Sequence, residues 1–175
     1  MSQELHEGDF LRLLRRGHWE YVERTNSRGV VAIVAVTDVG NLILVEQYRY
    51  PVARCVVELP AGLVGDEEAG EALLEAARRE LIEETGYAAD TIEAVCTGPV
   101  TAGLSNEVTT FCVARGLERV GAGGGDDSED ITVHEVPLTE VDAWLADRPA
   151  EVAVDPKIHA GLRLLQAVAR STGSP

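Results

Sequence analysis

The chain has little of what staples small or metal-built proteins together. Cysteine occurs three times, at Cys55, Cys96 and Cys112, an odd number without a C-x-x-C spacing, so neither a disulfide framework nor a thiolate zinc site is indicated. All three lie in or beside apolar, strand-like runs, which predicts reduced core thiols and a cytoplasmic protein. His6, His18, His134 and His159 are scattered without zinc-ligand spacing, and none is assigned to metal. Positive charge is also scarce. Fifteen Lys and Arg stand against 30 Asp and Glu, for a formal net charge of −15 and a pI of about 4.6. Nucleic acid and anionic membrane both call for a basic footprint, so neither is expected as a partner. The first ten residues, MSQELHEGDF, show no basic region followed by an apolar one, and no apolar run reaches the roughly 20 residues of a membrane span. No internal repeat is present. The 175 residues, 45% of them hydrophobic, suit a single domain over 1–175 with a real core.

Local patterning predicts the order of elements. Phe10 to Leu14 and Trp19 to Arg24 read as a hairpin joined across Arg16-Gly17-His18, in a segment spanning about 8–25. Val30 to Thr37 and Asn41 to Tyr48 are β-rich and almost continuously apolar, as central strands covered on both faces are. Val56 to Leu59, Ile92 to Thr97, Val108 to Ala114 and Ile131 to Val136 add further strands. Thr139 is placed as the cap of a short helix through Ala146, and Lys157 to Ala169 is a final amphipathic helix. The stretch Gly121 to Asp130, GAGGGDDSED, has no side chains to bury at its glycines and many acids, which predicts a mobile surface loop. Strands interleaved with helices give an α/β class, an α/β/α sandwich on mixed β-sheet.

The richest segment is Gly65 to Tyr87, GDEEAGEALLEAARRELIEETGY. From Glu68 to Glu84 strong helix formers dominate, and Gly86 supplies the left-handed residue that closes a helix. At about 100° per residue, Leu74, Ala77 and Leu81 make an apolar stripe, with Glu80, Glu83 and Glu84 on the neighbouring arc. Acids at i, i+3 and i+4 repel, and two sit at the end where the helix dipole disfavours negative charge, so a positive partner is required. Hard carboxylate oxygens at this spacing suit Mg²⁺, with Mn²⁺ as the alternative. Such an ion polarises phosphoryl oxygens and acidifies water. Arg79 can hold a carboxylate through a bidentate bond. The alternative for an acidic run by itself is a solvated helix face.

Written as G-x5-E-x7-R-E-U-x-E-E-x-G-U, the segment is filled by Gly65, Glu71, Arg79, Glu80, Leu81, Glu83, Glu84, Gly86 and Tyr87, and resembles the signature box of the Nudix hydrolases. Upstream, Glu46-Gln47-Tyr48-Arg49 and Glu58-Leu59-Pro60-Ala61-Gly62 look like the ADP-ribose (ADP-sugar) pyrophosphatase branch. That resemblance implies a Nudix fold and metal-dependent cleavage of a nucleoside diphosphate sugar into a nucleoside monophosphate and a sugar phosphate. It also implies metal held by Glu80, Glu84 and Glu83 with the backbone carbonyl of Ala61, with Arg79 as their orienter. Arg49 is implied to meet the diphosphate, with Glu58 beside the substrate; the plain alternative for Arg49 is a charge at a strand end. Trp19-Glu20 with Arg24 resembles the segment that stacks the adenine and completes the site across a homodimer, while the alternative for Trp19 is a core position. Thr101-Ala102-Gly103-Leu104-Ser105-Asn106-Glu107 resembles the loop near the terminal ribose, which makes Gly103, Ser105 and Glu107 candidate substrate contacts. Ala102 stands where the branch usually has proline, so sugar choice stays open. Ser128-Glu129-Asp130-Ile131 resembles the acidic loop that carries a catalytic glutamate, making Glu129 the first candidate for general base and Glu83 the second. Rival readings are a Nudix-fold module that binds a nucleotide sugar without cleaving it, and an enzyme with another nucleotide substrate, including RNA ends.

Overall fold

The computed structural model describes residues 2–65, 70–125 and 130–172. Three strands come first: β1 (Gln3–Glu7), β2 (Leu11–Arg16) and β3 (Trp19–Arg24), an antiparallel sheet in that order. There follow β4 (Val30–Ala35), β5 (Asn41–Arg49), β6 (Arg54–Glu58), β7 (Ala61–Leu63), α1 (Leu73–Thr85), β8 (Tyr87–Pro99) and β9 (Val108–Arg119). The chain then forms β10 (Thr132–Pro137), α2 (Val141–Ala146), β11 (Ala153–Val154) and α3 (Lys157–Thr172). One mixed sheet has the order β7-β4-β9-β8, with β4 and β9 parallel; the other runs β10-β5-β6-β11, with β6 and β11 parallel. The tight turn at Gly40, whose N–H donates to the Thr37 carbonyl at 2.9 Å, links β4 to β5 and so joins the two sheets.

The period-2 alternation of strands explains the layers. In β4, Ala32 and Val34 face a cluster with Leu42, Leu44, Val57, Val113, Ile158 and Leu145, which places α2 and α3 on one side. Val31, Ile33 and Ala35 face the other way, with Ile43, Cys112, Ala76, Ala77 and Leu81, which places α1 there. Both faces of β4 are therefore buried, as its unbroken apolar run predicts. Leu81 is fully buried, and emptying such a position with alanine costs about 2–5 kcal/mol. The result is the α/β/α sandwich on mixed sheet.

Local differences have local causes. The amino-terminal hairpin gains a third strand, β1, paired on β2, and leans on its own chain at the 101–107 loop, where the Val22 N–H donates to the Leu104 carbonyl at 2.9 Å. Thr139 does not cap α2; Glu140 occupies that place without a side-chain cap. Of the thiols only Cys112 is core, and burial pushes it up to about 11. Cys55 is half-buried, and Cys96 is exposed because a bulge at Val95 turns it outward from the β8–β9 ladder. Among the described residues no helix is long and apolar enough to cross a membrane.

Candidate active site

Helix α1 starts at Leu73, later than its composition predicts, since Gly70 sits at φ 119° and Glu71 is used for tertiary bonds. The buried face is Ala76, Ala77, Glu80, Leu81, Glu84 and Thr85. Leu74, expected in the stripe, is exposed, because the helix presents to β4 the arc that carries two of its acids. Glu80 retains 9% exposure and Glu84 3%. Both lie against β7, the strand opened by Pro60-Ala61-Gly62. The Ala61 N–H donates to Glu84 Oε2 at 2.9 Å. A Cβ on Gly62 would stand 1.8 Å from Glu80 Cδ, so only glycine leaves room for this carboxylate. Sequence reasoning reached Ala61 and missed Gly62, for which the adjacent glycine of the ELPAG run was the available signal.

Arg79 ties the acids together. Its Nε donates to Glu71 Oε1 at 3.1 Å and its Nη2 to the Leu63 carbonyl at 3.2 Å; its Nη1 lies 2.9 Å from Glu80 Oε1 and 3.0 Å from Glu83 Oε2. Burial works against the charge on this guanidinium, but the bond to Glu71 and the charges of Glu80 and Glu71 outweigh it, so the pKa is raised and the cation is permanent. In turn Arg79 holds Glu71 below its ordinary range, helped by the Gly65 N–H. Glu83 is the solvent-facing member, with 43% of its side chain exposed. Among the described residues no three His, Cys, Asp or Glu gather in a metal-binding arrangement. Of the three box acids, Glu80 and Glu84 are the buried pair, with Glu83 exposed beside Arg79. Ser128 and Glu129 lie outside the described residues.

The expected mobile loop behaves differently where it is described. The Gly124 and Gly125 N–H groups donate to the Glu84 and Glu83 carbonyls at 2.9 and 3.0 Å, which seats residues 121–125 on the end of α1. Glycine without a side chain permits backbone-on-backbone contact as readily as it permits mobility. Next to it, the Tyr87 hydroxyl donates to Glu135 Oε1 at 2.5 Å, with the Arg119 guanidinium 5.6 Å from its ring centroid. The bond to Glu135 and then burial raise the Tyr87 pKa.

A second group of candidates assembles between β3 and the 101–107 loop. Trp19 is not a core residue: it is 55% exposed, and its indole N–H donates to the Gly103 carbonyl at 3.2 Å. Arg24 Nε donates to Glu107 Oε2 at 2.6 Å. Ser105 pairs its hydroxyl with Thr101 at 2.7 Å, and the Thr101 carbonyl accepts from Leu104 and Ser105, so the turn closes without a proline at Ala102. Glu20 is directed elsewhere, to an exposed pair with Arg15 at 2.5 Å. A cleft of about 310 Å³ adjoins this group, lined by Arg12, Glu23, Arg24, Arg28, Asn106 and Glu107. Arg12 Nε is buried there without a hydrogen-bond partner among the described residues. Nothing in the local sequence signalled Arg12 or Arg28, because their proximity arises only from the docking of β2–β3 on the loop.

Arg49, at the end of β5, meets Glu58, at the end of β6, in a fork of 3.0 Å (Nε to Oε1) and 2.5 Å (Nη2 to Oε2). The pair sits across the register Arg49↔Arg54 and Val45↔Glu58, with Glu58 buried and Arg49 partly exposed. Glu58 fixes the rotamer of Arg49 through this two-point fork.

Comparison with known proteins identifies the family. The methanol dehydrogenase activator of Bacillus methanolicus is 35% identical over 121 residues, 69% of this chain and 64% of that protein. The ADP-ribose pyrophosphatase of Bacillus subtilis is 37% identical over 113 residues, 64% of this chain and 60% of that protein. The matched regions thus span less than two thirds of the length of either relative. A solved structure of an ADP compounds hydrolase superposes with a TM-score of 0.76 over 99% of this chain and 94% of that one, at 21% identity, a likeness of fold. Residues 26–155 match the NUDIX domain, about three quarters of the sequence and all of the α1 box; the chain belongs to that family.

Proposed function

We propose that the protein hydrolyses the diphosphate bond of ADP-ribose or a related nucleoside diphosphate sugar, releasing a nucleoside monophosphate and a sugar phosphate, with Mg²⁺ as cofactor and Mn²⁺ as its substitute. The observation that carries this reading is the pair of buried carboxylates, Glu80 and Glu84, seated on the Ala61–Gly62 backbone of a NUDIX chain. Mg²⁺ is commonly held by one or two carboxylates together with water and substrate oxygens, so two buried acids with a backbone carbonyl at Ala61 fit it, with Glu83 as a further ligand. When bound, the ion supplies positive charge to the phosphoryl oxygens.

The chain's own residues do the rest. Arg79 fixes Glu80 and Glu83 in place. Glu129 takes the proton of the attacking water, and Glu83, exposed at the rim, is the alternative base. Arg49, held by Glu58, faces the diphosphate, and Arg24, held by Glu107, belongs with Trp19 to the segment that meets the base. Trp19 stacks the base, and Gly103 and Ser105 shape the sugar end, while Glu20, held by Arg15, has no part in this arrangement. The exposed apolar side chains of Phe10, Leu11, Trp19 and Leu104 favour a homodimer through the β1–β3 sheet. Unpaired thiols suit the cytoplasm.

The deciding experiment is nucleotide chromatography over ADP-ribose, ADP-glucose, UDP-glucose, GDP-mannose and nucleoside triphosphates, with and without Mg²⁺. ADP-ribose is expected first or second, with turnover abolished by chelation. Preference for a triphosphate would refute the branch assignment, and tight binding without turnover on every substrate would make the protein a binding module.

A further inference from the structure

Helix α1 ends where its electrostatics are worst. The last carbonyls of a helix lack partners and form the negative pole of its dipole, and here Glu83 and Glu84 add carboxylates to the same turn. The structure answers this with backbone. Gly86, at φ 74°, donates its N–H to the Ile82 carbonyl at 2.8 Å, while its own carbonyl accepts from Val120 at 2.8 Å and Gly121 at 3.1 Å. The Gly124 and Gly125 N–H groups then take the carbonyls of Glu84 and Glu83. Partial positive charges are thus set against the two residues whose side chains carry like negative ones.

Contact at this point is too close for any side chain. A Cβ on Gly86 would meet the Gly121 carbonyl oxygen at 2.4 Å and the Gly123 nitrogen at 2.8 Å. A Cβ on Gly123, at φ 71°, would meet the Thr85 carbonyl carbon at 2.4 Å and the Gly86 nitrogen at 2.7 Å. These obstacles are backbone atoms, which cannot rotate aside as a side chain can. Gly86 and Gly123 therefore interlock, each requiring the other to be glycine. The Ile131 N–H returns to the Gly124 carbonyl at 3.2 Å, so the chain that departs after Gly125 comes back to the same anchor. The base of this loop and the last turn of α1 form one piece.

We infer that Gly123 is a positioning residue for hydrolysis: its interlock with Gly86 holds the segment after β9 in register with the α1 turn bearing Glu83 and Glu84. The inference rests on the hydrolase reading above and adds to it why the glycine run is there. Neighbouring Gly121 supplies a control, since among the described residues a Cβ there meets nothing nearer than the Gly86 Cα at 3.9 Å and its φ is not positive.

The test compares Gly123→Ala with Gly121→Ala in steady-state kinetics on ADP-ribose and Mg²⁺, at a temperature where circular dichroism shows both folded. Gly123→Ala should lower kcat by about 10-fold to 10²-fold, the scale of a displacement near 1 Å, with KM changed by less than about threefold. Gly121→Ala should stay within about twofold. Wild-type kcat in Gly123→Ala, or equal losses in both variants, would overturn the inference. Hydrogen exchange of the unaltered protein tests the interlock, on which the positioning role depends, even if Gly123→Ala does not fold. Amides of Gly124 and Gly125 should exchange as slowly as those of α1, and exchange at the rate of open loop would overturn the interlock. Glu129→Gln separates the two readings: if it turns over normally while Gly123→Ala is impaired, the base assignment falls and the interlock stands, acting through Glu83 and Glu84. Inactivity of the wild-type protein on the whole panel, with these amides protected, would sink the hydrolase reading and with it the role of Gly123 in hydrolysis, while the interlock itself stands.

Discussion

Gly62→Ala is the sharpest perturbation this structure offers, because it moves one proposed ligand without touching its charge. The new Cβ would be placed 1.8 Å from Glu80 Cδ and 2.0 Å from its Oε1. Ordinary contact begins at 3.4 Å, so the carboxylate must retreat by about 1.6 Å, the difference between 3.4 and 1.8. It can do so, since it ends a flexible side chain. Gly62 also lacks a positive φ, so alanine is compatible with the backbone and stability should change by less than about 1 kcal/mol. Catalysis should not be spared. A displacement of about 1 Å is enough to cost about 10²-fold in rate, and a withdrawn Glu80 should also raise the Mg²⁺ concentration needed for half-maximal turnover. The assay is nucleoside monophosphate release from ADP-ribose over a Mg²⁺ titration, with thermal unfolding alongside. Unchanged kcat and unchanged Mg²⁺ requirement would refute the placement of the metal at Glu80.

Glu84→Gln should leave the fold intact and lower turnover by about 10² or more, the scale of losing a key charge-handling group; near-normal activity at saturating Mg²⁺ would remove Glu84 from the site. Glu71→Gln tests the Arg79 network by pH. Arg79 lowers the folded-state pKa of Glu71 below its ordinary 4.5, so the stabilisation is present above about 4.5 and is lost as pH falls through the lower folded value. The difference in unfolding temperature between wild type and Glu71→Gln should therefore be constant near neutrality and shrink below pH about 4; a pH-independent difference would exclude this origin. Trp19→Ala should raise KM for adenine-containing substrates more than it lowers kcat, since stacking holds ground and transition states alike, and light scattering should report a homodimer. A fully active monomer would remove both the shared site and that role for Trp19.

The α1 box was readable because helical spacing is a short-range rule. Glu80, Glu83 and Glu84 share one edge of any helix drawn through them, and Gly86 ends it by its own conformational freedom. The two central strands were readable for a similar reason: an unbroken apolar run such as Val30 to Ala35 has to be covered on both faces. Spacing could not say which arc of α1 faces β4. That depends on what α1 packs against, so Leu74 is exposed while Glu80 and Glu84 are buried. Nor could sequence decide how near two backbones come. Gly62 under Glu80 and Gly123 against Gly86 are contacts between residues 18 and 37 positions apart, and in a linear sequence a glycine that makes room looks the same as one that makes a chain flexible. Likewise Arg12, Arg24 and Arg28 meet in one cleft only because the hairpin docks on the 101–107 loop. Sequence determined the chemistry available along each element; the tertiary structure alone decided which of those groups were pressed together, since close approach depends on how the sheets, helix and loops pack across the whole chain.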